Sequence, residues 1–206
     1  IRCVIDKNGM HTRGGKPINS CPHIWESVKH IIEANPNIVL DGELYNHELK
    51  ADFQKIVSLV RKVKCRPEEI KESSEKVEYH VYDMFDKNNP QMRFMERYMW
   101  LQDNVAGNMI VLVDTQICDT TKAIDKMYGE YTEAGYEGQM IRQDTPYECK
   151  RSKALLKRKE FITEEYDVVR VEEGNGNWTG YAKRFILALP NGTQFSSGVR
   201  GSQAQL

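Results

Sequence analysis

No stretch of the sequence approaches the roughly 20 consecutive apolar residues that a membrane-spanning helix needs. Nor do its first residues show the charged, apolar and small-residue succession of a secretory leader. A membrane is therefore not an expected partner, and the chain reads as cytoplasmic. The five cysteines, Cys3, Cys21, Cys65, Cys118 and Cys149, are odd in number, far apart and without a C-x-x-C pair. Neither a disulfide framework nor a structural zinc site is encoded, and the thiols are expected to be reduced. Charge of one sign is lacking too, because 29 Lys and Arg stand against 30 Asp and Glu for a formal net charge of −1. A polyanion would have to be met by a local basic face. Internal repeats and low-complexity segments are also missing.

The 206 residues that remain, 40% of them apolar, suffice for one large domain or a medium domain with a small companion. Ile1 to Ile5 alternates as a half-buried strand, and Asp6-Lys7-Asn8-Gly9 is a turn that returns the chain through Met10 to Thr12. Strands are expected at Ile38 to Tyr45, Val77 to Phe85, Met109 to Ile117 and Glu137 to Gln143. Helical spacing marks Ile24, Val28, Ile31 and Ile32, then Phe53, Ile56, Val57 and Val60, with further helices near Met92 to Asn104 and Thr121 to Ala134. The acidic-leaning run Glu68 to Glu78 reads as a solvated helical face. Hairpins mixed with longer-range pairings favour an α+β fold with antiparallel sheets.

After Phe161 the texture changes to short strands and glycine-rich turns: Tyr166 to Glu172, Gly174-Asn175-Gly176-Asn177, Tyr181 to Leu189, Pro190-Asn191-Gly192 and Phe195 to Val199. This fits the beginning of a small β-barrel. Two domains are expected, residues 1–161 and 162–206, with the boundary at about Ile162. Both ends of the chain look cut within larger elements.

Several segments carry chemistry. Val39-Leu40-Asp41-Gly42-Glu43-Leu44 is a hydrophobic strand with two carboxylates on one face. Buried carboxylates need pairing, hydrogen bonds or a cation, so this is a candidate metal or ribose site, although Asp-Gly can also be a simple turn. Glu137 opens another apolar strand beside Gly138. In Leu155 to Lys159, strand alternation sends Lys157 and Lys159 to one side and Arg158 to the other. Two ammonium groups on one side suit phosphate, whereas the plainer reading is a basic solvent-facing strand. Thr12-Arg13-Gly14-Gly15-Lys16 joins cations to glycines that let a phosphate approach the backbone. In Tyr79 to Phe85, alternation assigns Tyr79, Val81, Asp83 and Phe85 to one face and His80, Tyr82 and Met84 to the other. An aromatic there could stack on a purine or fill core. Acids for a cation, lysines for phosphates and an aromatic for a base together describe a nucleotide site.

In order and form these segments resemble ATP-dependent DNA ligases of the phage and bacterial kind, within the covalent nucleotidyltransferase superfamily. Thr12 to Gly15 is similar to the family's S-R-G-G segment, Leu40 to Leu44 to motif III, and Tyr82-Asp83 to motif IIIa. Glu137 to Arg142 is similar to motif IV, E-G-x-M-I-R, and Leu155 to Lys159 to motif V. The resemblance implies a ligase adenylation domain, ATP-grasp-like in its sheets, followed by part of an OB-fold, in a monomer acting on nicked duplex DNA with ATP as AMP donor and Mg²⁺. By the same resemblance Arg2 and Glu43 would contact the nucleotide, Tyr82 would stack on adenine, and Lys157 with Lys159 would hold the α-phosphate. Glu43 and Glu137 would serve the metal, and Arg13 and Lys16 the DNA. Ligases of this type imply a bacterial or phage-infected cell, and roles in DNA replication, repair and recombination.

The family's nucleophilic lysine lies in motif I, K-x-D-G, which occurs nowhere in these residues, and motif VI is also missing. Arg2 matches the arginine that follows motif I. The chain is expected not to adenylylate itself. RNA ligases and capping enzymes share the same motif logic. A non-catalytic nucleic-acid-binding module is the alternative of a different class.

Overall fold

A computed structural model describes residues 1–160 and 163–202. The chain divides into two compact units, Ile1–Lys159 and Glu160–Leu206. The expected boundary at Ile162 lies outside the described residues.

The first unit is built on a five-stranded sheet in the order β2-β1-β3-β4-β5. Its strands are β1 (Arg2–Asp6), β2 (Gly9–Thr12), β3 (Ile38–Tyr45), β4 (Glu78–Asp86) and β5 (Ile110–Leu112). All neighbours pair antiparallel except β4 and β5, which are parallel. Five helices accompany them: α1 (Pro22–Ala34), α2 (Phe53–Val60), α3 (Pro67–Lys76), α4 (Phe94–Asn104) and α5 (Thr121–Glu133). A separate hairpin, β6 (Gly138–Arg142) with β7 (Leu155–Lys159), forms a second, two-stranded sheet. The mixed α+β class with antiparallel sheets follows from these pairings.

The core lies on one face of the large sheet. Ile5, Leu40, Leu44, Tyr79, Val81 and Met84 point there and meet Ile24, Val28, Ile31 and Ile32 of α1 and Ile56, Leu59 and Val60 of α2. Burial of such a continuous apolar layer is the main favourable term in folding. Gly42 sits in the middle of β3, where an added Cβ would come within 2.6 Å of the His80 carbonyl oxygen and 2.6 Å of the Tyr79 ring. Tyr79 is fully buried and donates its hydroxyl to the Cys3 carbonyl at 3.2 Å. The glycine between Asp41 and Glu43 is thus a packing requirement, and it leaves both acids on the opposite, accessible face.

Two expectations need correction. The strand read at Met109 to Ile117 shrinks to Ile110–Leu112. Val113 still donates to Val81, but Asp114 and Gln116 then bond each other and Ile117 is 79% exposed, so there is no sheet neighbour to continue the ladder. The face assignment in β4 also fails. A β-bulge shifts the register so that Asp41 pairs with Asp83 while Gly42 pairs with Val81, which leaves Tyr82 as the extra residue. The bulge reverses the phase of alternation. Met84 enters the core opposite Leu40, and Asp83 and Phe85 join His80 on the far face.

The second unit contains an antiparallel sheet in the order β10-β9-β8, from β8 (Asp167–Glu173), β9 (Ala182–Ala188) and β10 (Gln194–Gly198). No closed barrel is formed among the described residues. Val168, Val169 and Val171 are exposed, while Tyr166 and Phe195 meet edge to face at 5.0 Å.

Candidate active site

The accessible face of the large sheet carries two buried carboxylates side by side, Asp41 and Asp83, 4% and 1% exposed. Two like charges in such positions would be costly without compensation. Arg2 forks onto Asp41, with Nε and Nη2 each donating at 2.8 Å. The hydroxyls of Tyr147 and Tyr82 donate to the same carboxylate at 2.7 and 3.2 Å. Burial first, and then the Asp41 charge, push both phenols above the ordinary tyrosine range. Asp83 receives Arg97 through Nε at 2.8 Å and Nη2 at 3.2 Å, and Arg142 through Nη1. Arg97 also donates to the Met92 and Thr145 carbonyls at 2.6 and 3.0 Å.

This network changes how motif III reads. Asp41 was a candidate metal or ribose ligand, but its oxygens are taken up by Arg2, Tyr147 and Tyr82, so it acts as an anchor. Arg142, at the end of β6, ties the small hairpin to β4 through Asp83 and lies over the Phe94 ring at 4.5 Å. Arg97, Arg142 and Tyr147 were not singled out as site residues from sequence. Only the pairing rule for buried carboxylates signalled that such cations must exist, and it could not say which.

The β6–β7 hairpin brings Glu137, Lys157 and Lys159 together. Gly138 pairs with Lys159 and Met140 with Lys157, so the two lysines share a face. Glu137 accepts from Lys157 Nζ at 3.1 Å. That hydrogen bond, followed by the charges of Lys157 and Lys159, holds the Glu137 carboxyl below the ordinary glutamate value. The pairing is therefore complete above the ordinary carboxylate range and is lost as pH falls through the lowered value. Arg158 turns away to Asp125 at 2.5 Å and over Tyr128 at 4.3 Å. Gly138 adopts φ +152°, and a Cβ there would lie 2.1 Å from the Arg158 carbonyl oxygen. Only a residue without Cβ allows this close crossing beside Glu137.

Glu43 is exposed on the accessible face of β3, in register with Arg2 on one side and His80 on the other, and accepts from the Ile1 ammonium at 2.8 Å. Burial first, then the charges of Tyr136, Glu43 and Glu137, raise the pKa of the half-buried Tyr45 phenol. Tyr82 is tied to Asp41, with the Arg142 guanidinium 6.0 Å from its ring. Arg13 and Lys16 stand exposed in the turn after β2, where Gly15 donates to Thr12 and Thr12 to Lys16. Among the described residues their side chains make no ion pair or hydrogen bond.

Mg²⁺ in nucleotide sites takes one or two carboxylates and completes its shell with phosphate oxygens and water. Glu43 and Glu137 fit that donor set. Among the described residues no three His, Cys, Asp or Glu side chains gather into a cage, so a cation here would depend on phosphates. The described residues also contain no helix long and apolar enough to cross a membrane.

A family model described as the ATP dependent DNA ligase domain matches residues 4–159. A DNA ligase of Archaeoglobus fulgidus is 31% identical over 181 residues, covering 82% of this chain and 31% of the relative. The chain thus spans less than a third of that relative's length. Among solved structures, one from work on DNA binding by Lig E DNA ligases superposes with a TM-score of 0.81 at 22% identity, covering 100% of this chain and 76% of that one. The Chlorella virus DNA ligase-adenylate gives 0.58 at 20% identity, covering 100% and 74%. These two likenesses establish the fold.

Proposed function

Because the chain belongs to the ATP-dependent DNA ligase family, we propose that its first unit binds ATP as AMP donor and works within a ligase that seals nicks in duplex DNA. The observation that supports this most is the convergence of Glu137, Lys157 and Lys159 on one hairpin, locked by Gly138. Family chemistry divides into three in-line displacements at phosphorus: a lysine attacks the α-phosphate of ATP, AMP passes to the 5′-phosphate of a nick, and a 3′-hydroxyl displaces AMP. Positioning and charge neutralisation carry such reactions.

In this reading Lys157 exchanges its Glu137 partner for an α-phosphate oxygen, and Lys159 holds a second. Glu137, so released, and Glu43 would be the carboxylates that hold the cation. Mg²⁺ supplies neutralisation of phosphate charge when bound. Arg2, fixed by Asp41, presents its remaining donors to the nucleotide, Tyr82 offers its ring to adenine, and Arg13 with Lys16 contacts the DNA backbone. The second unit is read as the start of an OB-fold.

The 206 residues contain no K-x-D-G, so the chain alone is expected to take up no covalent AMP. Incubation with α-labelled ATP and Mg²⁺ checks this, and a stable phosphoramidate on the purified chain would contradict it. For the complete gene product, sealing of nicked DNA duplexes is the expected activity. Sealing of RNA nicks alone, or transfer of the nucleotide to an RNA 5′-diphosphate end, would replace this reading with an RNA ligase or a capping enzyme.

A further inference from the structure

The turn that precedes Glu137 is tied to the segment just after the Glu43 strand by the His47 imidazole, with Lys50 beside it. We propose that His47 is a positioning residue that sets the spacing between the Glu43 and Glu137 carboxylates, an inference that rests on reading those two acids as cation ligands.

The tie begins at the end of α5. Gly135 donates to Thr132 at 2.9 Å and Tyr136 to Tyr131 at 2.9 Å, with Gly135 at φ +86°. This is a Schellman closure, and Tyr131 and Tyr136 make its side-chain contact, with ring centroids 6.3 Å apart. The carbonyl of Ala134, the residue that caps α5, lies 3.0 Å from His47 Nε2 and 3.4 Å from Lys50 Nζ. A carbonyl oxygen only accepts, so Nε2 carries the proton. Nδ1 is then the acceptor for the Tyr45 hydroxyl at 3.0 Å. With Nε2 protonated, both ring nitrogens have a partner, and the ammonium of Lys50, 3.3 Å from Nε2, is left to the Ala134 carbonyl.

The face of the same ring lies against Tyr136, with centroids 4.3 Å apart and 35° between planes. Tyr136 immediately precedes Glu137. Tyr45 follows Glu43 by two positions on the same face of β3, and its ring meets the edge of His80, the residue opposite Glu43, at 5.2 Å. A continuous path thus runs from Glu43 through Tyr45 and His47 to Tyr136 and Glu137. Without such a tie, a Glu137 peptide flanked by Gly135–Tyr136 and Gly138 would not be fixed by its own backbone preferences. Second-layer groups that orient metal ligands in this way change metal affinity by about 10- to 100-fold when removed.

The test uses the full chain with ATP and Mn²⁺, following Mn²⁺ binding by electron paramagnetic resonance and metal-free ATP binding by equilibrium dialysis. His47→Phe keeps an aromatic ring against Tyr136 and removes both hydrogen bonds, while Tyr45→Phe removes only the Nδ1 link. Both variants are expected to raise the Mn²⁺ concentration for half-saturation, His47→Phe by about 10-fold, with metal-free ATP affinity held within about twofold. Unchanged Mn²⁺ binding in both variants, or an equal loss of metal-free ATP binding, overturns the positioning role. Wild-type chain without ATP-dependent Mn²⁺ binding, or Glu137→Ala that retains it, overturns the cation-site reading itself and the proposal with it.

Discussion

Replacing Asp83 with Asn is expected to destabilise the first unit by about 3–5 kcal/mol, the cost of leaving a buried cation unpaired. Arg97 is 3% exposed and directs Nε and Nη2 at the two Asp83 oxygens, and Arg142 reaches the same carboxylate from β6. The amide keeps the shape but loses the charge that both guanidinium groups answer. Because whole domains are stable by only about 5–15 kcal/mol, a substantial fraction of the molecule should unfold near physiological temperature. Urea unfolding checks this, and a loss below about 1 kcal/mol, the range of exposed ion pairs, would mean that the cluster is open to water. Arg97→Met in the Asp83→Asn background should cost less than the two single changes added together, since groups in one network are coupled.

The second large effect is local. Gly138→Ala places a Cβ 2.1 Å from the Arg158 carbonyl oxygen and 2.9 Å from the Lys159 Cα. Both obstacles are backbone atoms, so no side-chain rotation relieves the clash, and the hairpin must open where Gly138 pairs with Lys159. Global stability should fall by only about 1–3 kcal/mol, as for other overpacked sites. Nucleotide affinity should fall by about 10²-fold, the penalty that a misplacement near 1 Å carries in a positioned site. Titration of ATP with Mg²⁺ measures the second effect, and amide hydrogen exchange across Gly138 to Arg142 locates it. A variant with native affinity would show that the Lys157 and Lys159 register is not needed for binding.

Much of this architecture was legible in the residues. Period-two alternation in Ile38 to Tyr45 and 3.6-residue spacing in Ile24 to Ile32 are direct records of which faces are buried, and the structure places β3 and α1 there. The turn at Asp6 to Gly9 announced its hairpin in the same way. What alternation could not show is a break in its own rhythm. The bulge at Tyr82 depends on how β4 meets β3, and one extra residue moved Asp83 off the face it was expected to share with Tyr79 and Val81.

Long-range pairings were hidden for a related reason. The need of Asp41 for a partner is a local property, but Tyr147 lies 106 positions away, and Arg97 answers Asp83 on β4 from helix α4. Glycines were legible only as permissive. That Gly42 makes room for Tyr79 and Gly138 for the Arg158 carbonyl became apparent once the packed strands were in view. The helix-capping role of Gly135 and the tie through His47 depend on the same tertiary approach.

The convergence of Glu137 with Lys157 and Lys159 can be tested by a single titration. ATP with Mg²⁺ is added to the wild-type chain and to a Lys157→Ala, Lys159→Ala double variant shown by circular dichroism to keep its fold. Saturable binding by wild type and a loss of at least about 10-fold in the double variant, matching removal of two charge-assisted phosphate contacts, is the expected result. Equal affinity in the two proteins would contradict it.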